Sequence, residues 1–426
     1  MGENFLIFLI RNFLADHVIY QSKFIGKIYV APGNSGTSSI AINLPLNINN
    51  HNEIKDVIIS HLIDLLIIGP EGPLVKGLHN KLANMHELAN LTIIGPKKEG
   101  AQLEGSKEFS KKFMKKYKIP TADFKTFNST EISDAINYLK QLNPPFVIKA
   151  NGLAAGKGVL ICDSFEQAEN GIKDMMINLK FGDAGETIVI EEFLDGIEMS
   201  VFIITDGESY KVLPTAKDYK RIGEYNTGLN TGGMGAISPV PFIGPTMMKK
   251  IKSQIIEPTL AGLKKEKIDY TGFIFFGLIN VKEKPFVIEY NVRLGDPETQ
   301  AIIPRIKSDL LLLLNKLNDK EKFKNEDLII SSQTTATVIM ASGGYPERYQ
   351  KNHIINGLEN IKDTLVFHAG IKLEKEKYLT NGGRVLALTS FGASLSEAKN
   401  KSYQEIKKIK FKDLYYRKDI GLDLIK

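Results

Sequence analysis

The first hundred residues repeat one pattern, in which a short apolar run leads into a turn that is rich in glycine and proline. The three runs are Ile28–Val30, Leu65–Ile68 and Thr92–Ile94. An amphipathic stretch, residues 74–88, separates the second run from the third and predicts helix. Apolar strands that alternate with helices indicate a parallel α/β sheet, which binds its ligands beyond the carboxyl ends of the strands.

After Ser106 the pattern changes to β-rich runs with few crossover helices. Residues 107–117 predict a basic helix that ends before Pro120. Strands are expected at residues 146–149, 159–162, 187–193, 199–205, 273–281 and 286–292, with helices near 164–178 and 246–265. This order favours an α+β region with an antiparallel sheet. The polar stretch 318–327 is interpreted as a linker to a last β-rich block.

Three domains are therefore expected, and a length of 426 residues allows two to four. They are an N-terminal parallel α/β domain over residues 1–104, a central α+β domain over residues 105–327, and a small β-rich domain over residues 328–426.

The composition excludes several classes of protein. The chain is 43% hydrophobic and 24% charged, which is typical of globular proteins. Its net charge of +6 is too small and too dispersed to predict a nucleic-acid surface. The single cysteine, Cys162, excludes an internal disulfide and favours a reducing compartment. Because no run approaches the roughly 18 apolar residues of a membrane span, we expect a cytoplasmic monomer without a nucleic-acid or membrane partner.

The run from Val287 to Arg293 is the strongest candidate for a functional strand. Side chains alternate along a strand, so Glu289, Asn291 and Arg293 are expected to share one face. Ile288, Tyr290 and Val292 are expected on the opposite, buried face. Carboxylate and amide oxygens suit Mg²⁺, and a guanidinium group suits phosphoryl oxygens. The alternative is a polar strand facing solvent, which three such groups on one face make less attractive.

A glycine-rich segment, residues 149–158, resembles the phosphate loop G-x-x-x-x-G-K-[ST] only superficially. Three residues separate Gly152 from Gly156, and Gly158 stands where the loop has a hydroxyl. An apolar strand rather than a helix follows, which excludes the standard phosphate loop. Two interpretations remain: a mobile hairpin that places Lys157 over phosphates with Lys149 entering from the preceding strand, or an ordinary hairpin with a solvated lysine.

Two further segments are candidates for ligand binding. Residues 191–194 end a predicted strand whose backbone could bind the edge of an adenine, with Glu198 near the ribose; a charged, exposed strand end is the alternative. Residues 226–235 are too rich in glycine for a packed element, and could form a flexible linker or a lid whose amides bind an anion. The seven histidines show no metal-binding spacing, and no G-x-S-x-G turn is present.

Taken together, these segments resemble the ATP-grasp superfamily and, within it, the phosphoribosylamine–glycine ligase (glycinamide ribonucleotide synthetase) family. The similarity extends from about residue 22 to the C-terminus. The segments that carry it are 31–34, 69–71, 102–107, 149–159, 230–236, 293–300, 367–370, 380–385 and 417–421.

The resemblance implies a pre-ATP-grasp domain, an ATP-grasp domain and a small C-terminal domain. It also implies an enzyme of purine biosynthesis that uses ATP and Mg²⁺ or Mn²⁺ to join glycine to 5-phosphoribosylamine. In this reaction the glycine carboxylate attacks the γ-phosphate, and the amine of phosphoribosylamine then displaces phosphate from the acyl phosphate. Two alternatives remain: another ATP-grasp carboxylate–amine ligase, or a nucleotide-binding protein without turnover.

The resemblance also assigns roles to individual residues. For ATP it implies Lys107, Lys149, Gly152, Gly156, Lys157, Gly158, Glu191, Glu192, Phe193, Leu194 and, at the ribose, Glu198. Glu289 and Asn291 would hold the metal, and Arg293 and Lys157 would be catalytic. For glycine and phosphoribosylamine the candidates are Asp218, Asn230, Gly232, Gly233 and Asp296, with Gly33 and Glu71 in the turns of the first domain.

The chain departs from the family pattern at two places. The family opens with a strand and a turn similar to Gly-x-Gly-Gly, whereas residues 1–20 contain no such turn. A glycine turn that opens a helix offers unpaired amides to phosphate, so its loss predicts weaker binding of phosphoribosylamine. In addition, the run 273–281 offers no acidic ligand for a metal.

Overall fold

The computed structural model describes residues 3–8, 22–154 and 158–425. The first region is a parallel sheet whose strands run in the order β3-β2-β1-β4-β5. Its elements are β1 (Glu3–Phe8), β2 (Ile25–Ala31), β3 (Ile42–Asn43), α1 (His51–Ser60), β4 (Leu65–Ile68), α2 (Glu71–Val75), α3 (Leu78–Ala83), β5 (Thr92–Ile94) and α4 (Lys98–Gly105). The strand order reverses beside β1, where such sheets bind ligands.

The amphipathic stretch 74–88 does not form one helix. It is divided between the end of α2, α3 and a short 3-10 turn, His86–Leu88. The division falls at Gly77, whose φ of +80° lies in the left-handed region that glycine adopts without strain. Periodicity predicted the buried face but not this break.

An antiparallel sheet follows, in the order β6-β9-β7-β8. Its segment contains α5 (Lys107–Lys116), β6 (Phe124–Asn128), α6 (Ile132–Leu139), β7 (Phe146–Ala150), β8 (Val159–Cys162), α7 (Phe165–Met176) and β9 (Thr187–Glu191). Helices α6 and α7 cover one face, where Leu139 and Ile172 pack against Ile148 and Ile190. The basic helix expected at 107–117 is confirmed as α5.

A second antiparallel sheet runs in the order β11-β10-β16-β17. Its segment contains β10 (Ile197–Thr205), β11 (Tyr210–Val212), β12 (Lys217–Asp218), β13 (Arg221–Gly223), β14 (Thr227–Asn230), β15 (Gly235–Ser238), α8 (Pro245–Ile251), α9 (Glu257–Lys265), β16 (Gly272–Val281) and β17 (Lys284–Asn291). A π-helical turn, Lys252–Ile256, joins α8 to α9. One face of this sheet packs against the first region, in an apolar cluster that includes Leu66, Leu78, Val201 and Phe276.

The last region is built around a sheet in the order β12-β15-β18-β22-β19. Helices α10 (Glu298–Ile302), α11 (Leu310–Asn315) and α12 (Lys320–Asn325) precede this region, and α11 and α12 pack in a core with the first region. The last region then contains β18 (Thr334–Ser342), β19 (Thr364–His368), β20 (Ile371–Glu374), β21 (Lys377–Thr380), β22 (Arg384–Gly392), α13 (Leu395–Ile406) and β23 (Leu414–Tyr415). Strands β12 and β15 belong to the central segment by sequence, so this sheet crosses the expected domain boundary at residue 327.

Two expectations about local structure are wrong. The polar stretch 318–327 is not a bare linker, because it contains α12, whose Phe323 is fully buried in the core. In β17, Leu278 of β16 pairs with Val287 and Gly277 pairs with Glu289, which leaves Ile288 as an extra, bulged residue. Val287 rather than Ile288 therefore shares the buried face with Tyr290. Among the residues that the structure describes, no helix is both long and apolar enough to cross a bilayer.

Candidate active site

Glu289 and Asn291 lie on one face of β17, as the sequence predicted. Glu289 pairs with Gly277 of β16, which in turn pairs with Ser200 of β10. A Cβ atom added to Gly277 would lie 3.1 Å from Cγ of Glu289, so this glycine leaves room for the carboxylate. The Asn291 amide is buried, and its Nδ2 has no hydrogen-bond partner among the described residues.

Glu289 is surrounded by positive charge. Burial alone would raise the pKa of its carboxyl, but the charges of Lys220, Lys149, Lys107 and Arg293 lower the pKa below its usual value. The carboxylate therefore stays ionised near neutral pH within a group of four cations. Such a group can bind a polyanion together with a divalent cation.

The ligands for that cation are few. No cluster of three or more His, Cys, Asp or Glu side chains suited to a metal occurs in the described residues. The Glu289 carboxylate and the Asn291 amide nevertheless fit Mg²⁺, which commonly takes one or two protein oxygens and completes its coordination with phosphate and water.

Lys220 and Glu298, which the sequence did not single out, lie near Glu289 together with Glu198 and Asp218. Lys220 Nζ contacts Glu198 Oε2 at 3.0 Å, so the carboxylate assigned to the ribose is already paired with a lysine. Ser200 Oγ donates to Glu298 Oε1 at 3.2 Å. Burial, and then the nearby Asp218, raise the pKa of Glu298 to about 8. Lys220 and Glu298 were missed because separate elements bring them together.

The lysines at the other end of the site form a buried group around Glu191. Both Lys149 Nζ and Lys111 Nζ lie 2.9 Å from Glu191 Oε2. Glu191 Oε1 is buried and has no hydrogen-bond partner among the described residues. Burial lowers the pKa of Lys111 to about 8. Lys111 was not predicted, since on α5 it is one of several lysines and only its burial distinguishes it.

The beginning of the glycine-rich hairpin is attached to the junction of α4 and α5. Asn151 Oδ1 accepts hydrogen bonds from Ser106 Oγ at 3.0 Å and from the Glu108 amide at 2.8 Å. Lys107 Nζ donates to the Gly152 carbonyl at 3.3 Å. Gly156 and Lys157 lie outside the described residues, so their assignment stays a prediction; Gly158 closes the hairpin by accepting from the Ala150 amide at 2.8 Å.

The residues assigned to adenine lie where β9 ends. Glu191 is its last residue and is buried, whereas Glu192 and Phe193 are exposed and Leu194 is half-buried. The Phe193 ring is 36% exposed, which leaves an apolar face that an adenine could cover.

Arg293, two residues beyond the end of β17, connects that strand to the first region. Its Nε donates to Glu71 Oε2 at 3.0 Å, and its Nη2 contacts Glu104 Oε1 at 2.9 Å. Glu104 Oε2 also accepts from the Val292 amide at 2.8 Å. Burial raises the pKa of Glu104 to about 7. The structure thus brings Glu71 and Arg293 into one network and adds Glu104, whose role the sequence did not reveal.

The glycine-rich segment 226–235 is held by hydrogen bonds to the protein and is not a loose lid. The Gly232 amide donates to the Tyr345 hydroxyl at 3.0 Å, and the Gly233 amide donates to Thr231 Oγ1 at 2.9 Å. Asn230 pairs with Arg221 across the hairpin of β13 and β14. These two glycine amides already have acceptors, so the hypothesis that they bind an anion loses support.

The turn after β2 is also occupied by its own contacts. The Gly33 amide donates to the Val30 carbonyl at 3.4 Å, and the Gly36 and Thr37 amides donate to Asn34 Oδ1 at 2.7 and 3.1 Å. A Cβ atom on Gly33 would overlap the Asn43 side chain, which explains the glycine by packing.

Comparison with known proteins decides the family. Three family descriptions match in order: phosphoribosylglycinamide synthetase N domain at residues 13–104, ATP-grasp (A) domain at 105–299, and C domain at 335–423. The chain is 46% identical over 407 residues to the phosphoribosylamine–glycine ligase of Fusobacterium nucleatum, covering 95% of this chain and 94% of the relative. The chain belongs to the phosphoribosylglycinamide synthetase family.

Other comparisons agree with this family. The phosphoribosylamine–glycine ligase of Escherichia coli K12 is 43% identical over 412 residues, with 94% of this chain and 93% of the relative covered. The crystal structure of the phosphoribosylamine–glycine ligase of Thermotoga maritima matches with a TM-score of 0.84 and 32% identity, over 98% of this chain and 100% of that one. The predicted ATP-grasp resemblance and fold class, a parallel first sheet followed by antiparallel sheets, are both confirmed.

A more distant structure shows the fold alone. The biotin carboxylase domain of the Hydrogenobacter thermophilus 2-oxoglutarate carboxylase, solved with MgADP, is 15% identical, with a TM-score of 0.69. It covers 97% of this chain and 92% of that one.

Proposed function

We propose that this chain joins glycine to 5-phosphoribosylamine with ATP, and releases glycinamide ribonucleotide, ADP and phosphate in purine biosynthesis. The names of its relatives supply the substrates, and one observation carries the chemistry: an ionised Glu289 among four cations, with the Asn291 amide beside it. A carboxylate does not react with an amine unaided, because its oxygen is a poor leaving group. ATP transfers its γ-phosphoryl group to that oxygen, so that phosphate becomes the leaving group.

Binding of ATP is proposed for the two lysine-rich ends of the site. Lys107 and Lys149 would contact the phosphates, since both lie close to Glu289 and to the base of the hairpin. Lys157 and the hairpin glycines would cover the phosphates. Residues 191–194 would bind adenine, with Glu198 at the ribose. Glu289 and Asn291 would hold Mg²⁺ or Mn²⁺, which when bound neutralises phosphate charge.

The protein contacts of Arg293 limit how many of its N–H groups can bind a phosphoryl group. Its contacts with Glu71, Glu104 and the Leu294 carbonyl use three of the five N–H groups of a guanidinium. Two N–H groups remain for oxygens of the transferring phosphoryl group. Such electrostatic stabilisation is the main task of a protein in phosphoryl transfer.

Glycine and phosphoribosylamine are proposed to bind between β17 and the turns of the first region. Asp218 and Glu71 are the acidic candidates near the site, since Glu71 pairs with Arg293 and Asp218 lies near Lys220 and Glu289. The glycines and Asp296 shape the loops around it. We also infer a cytoplasmic monomer, which the single buried cysteine supports for the compartment and size-exclusion chromatography would test for the assembly.

Isotope transfer tests the reaction directly. The protein is incubated with ATP, freshly generated phosphoribosylamine and glycine that carries ¹⁸O in its carboxylate. We expect one ¹⁸O atom in each released phosphate, because the glycine oxygen leaves with the phosphoryl group. Omission of either glycine or phosphoribosylamine should prevent product formation. Phosphate without ¹⁸O would contradict an acyl phosphate, and turnover only with another acid and amine would favour the alternative ligase.

A further inference from the structure

Arg384, the first residue of β22, connects two loops at the active site. Its side chain is only 4% exposed. The Nη1 atom donates to the carbonyls of Gly233 at 3.1 Å and Asp296 at 3.2 Å, and also contacts the Gly232 carbonyl. The Nη2 atom forms an ion pair with Asp296 Oδ2. One guanidinium of the C-terminal region thus binds two loops that are more than sixty residues apart in sequence.

The two loops approach each other too closely to be arranged in many ways. A Cβ atom on Gly233 would lie 2.2 Å from Cδ of Pro297, and the φ of Gly233 is +103°. A Cβ atom on Gly232 would lie 3.0 Å from Cζ of Arg384. The two glycines therefore turn their carbonyls toward the guanidinium, and the Tyr345 hydroxyl binds the Gly232 amide from the same C-terminal region.

These contacts change the interpretation of Asp296. Its Oδ2 is paired with Arg384, and its Oδ1 accepts from Gln300 Nε2 at 2.8 Å. Both carboxylate oxygens thus face protein groups. In sequence, Asp296 lies between Arg293 and Glu298. Glu298 contacts Ser200, which pairs through Gly277 with Glu289 across the sheet. The position of this loop sets where two groups of the site lie.

We propose that Arg384 is a positioning residue of the ligase: it holds the 230–235 loop and the 295–298 loop in the arrangement that receives glycine and phosphoribosylamine. The inference rests on the proposed function. The contacts of Arg384 described above are with the two loops, whereas Lys107 contacts Gly152 and Lys149 pairs with Glu191. We therefore expect ATP binding to depend little on Arg384. A planar guanidinium can bind several carbonyls and a carboxylate at once, whereas a lysine ammonium is a point charge that cannot span both loops.

The test compares Arg384→Lys with Arg305→Lys. Arg305 is a matched control: it is 5% exposed, and it donates to the Gln333 and Ser331 carbonyls and to Ser238 Oγ, which lie outside both loops. For Arg384→Lys we expect kcat/KM for glycine and phosphoribosylamine to fall on the order of tenfold or more, a factor that corresponds to about 1.4 kcal/mol. The Kd for ATP should change less than about twofold. Arg305→Lys should leave kcat/KM for both substrates unchanged.

Two further measurements separate positioning from general stability. Guanidinium ion added at millimolar concentration should partly restore Arg384→Ala, but not an Arg305→Ala variant. Tyr345→Phe, which removes one hydroxyl and no charge, should raise KM for the same two substrates with a smaller effect. If Arg305→Lys shows the same loss, or if the Kd for ATP rises as much as KM for glycine, the positioning role is wrong.

Hydrogen exchange tests the contacts without turnover. In Arg384→Lys, amides of residues 230–235 and 295–300 should exchange roughly tenfold faster, whereas Arg305→Lys should leave them unchanged. Unchanged exchange in both segments overturns the inference. A wild-type protein that forms no glycinamide ribonucleotide contradicts the proposed function instead, and the exchange result then decides the loop contacts alone.

Discussion

At the scale of single residues, the site depends on how burial and charge are balanced around Glu289. Without the surrounding cations, desolvation would raise the pKa of this carboxyl, and without the carboxylate those cations would repel each other. A bound metal and triphosphate would shift this balance again, since each supplies several charges. The Glu289 carboxylate thus has an electrostatic role beside the metal-binding role that we propose for it.

Glu289→Gln should remove metal-dependent turnover while the fold is kept. The amide has the same shape, and the neighbouring Val287 and Tyr290 supply the buried face of β17. Turnover is measured against Mg²⁺ concentration, and circular dichroism reports the fold. The matched control is Glu283→Gln, an exposed glutamate in the turn between β16 and β17. Full turnover of Glu289→Gln at saturating Mg²⁺ would disprove the metal assignment.

At the scale of elements, the junction between α4 and α5 coordinates several parts of the site. Glu104, at the end of α4, contacts Val292 and Arg293, the two residues that follow β17. Ser106 caps α5 by accepting from the Phe109 amide and also donates to Asn151 at the base of the hairpin. The junction therefore fixes the position of the hairpin relative to the end of β17.

Ser106→Ala should raise KM for ATP about fivefold, because the base of the hairpin loses a hydrogen bond of about 1 kcal/mol. The control is Ser164→Ala, since the Ser164 hydroxyl caps α7 by accepting from the Gln167 amide rather than bonding to the described part of the hairpin. Loss of either cap should cost about 1 kcal/mol of unfolding free energy. Steady-state kinetics and urea unfolding measure the two effects. Equal values of KM for ATP in both variants would contradict the role of the junction.

The elements were more predictable than the site. The strands Leu65–Ile68, Thr92–Ile94 and Val159–Cys162 were predicted with their observed bounds, because apolar runs closed by glycine, proline or polar residues are local signals. The bulge at Ile288 was not predictable, since it depends on pairing with another strand. The helix at Lys320–Asn325 was missed because one buried residue, Phe323, carries its packing.

The site shows the same limit. Glu289, Asn291 and Arg293 were expected on one face of a strand because they alternate in sequence; β17 contains Glu289 and Asn291 and ends there, so Arg293 lies beyond it. Lys111 and Glu104 gave no local signal, since their partners lie on distant segments and only burial distinguishes them. The assignments of Gly156, Lys157 and the segment 9–20 fall outside the described residues and stay predictions.

At the scale of the whole molecule, the first and last regions touch directly. Asn34 Nδ2 donates to the His368 carbonyl at 2.6 Å, and Ser35 Oγ lies 3.0 Å from His368 Nδ1. Burial lowers the pKa of His368 to about 4. The imidazole is thus neutral in the folded protein at any pH above that value.

This contact predicts an acid-sensitive stability. Because the unfolded His368 takes up a proton near pH 6.5 and the folded one only near pH 4, stability falls as the pH drops through that window. The loss is at most about 1.4 kcal/mol for each pH unit. We expect wild-type protein to lose unfolding free energy between pH 6.5 and 4 relative to His368→Gln, as measured by urea unfolding. Parallel pH profiles for the two proteins would contradict this account.

The antiparallel sheet that crosses residue 327 also decides how the chain can be divided. Strand β15 lies between β12 and β18, and its partner β18 comes from beyond residue 327. A fragment that ends at residue 327 would carry β15 with one row of backbone donors and acceptors unpaired, which is a template for intermolecular association. Expression of the ATP-grasp region by itself should therefore give aggregates, and chimeras that exchange C-terminal regions must replace the short strands β12 and β15 along with them.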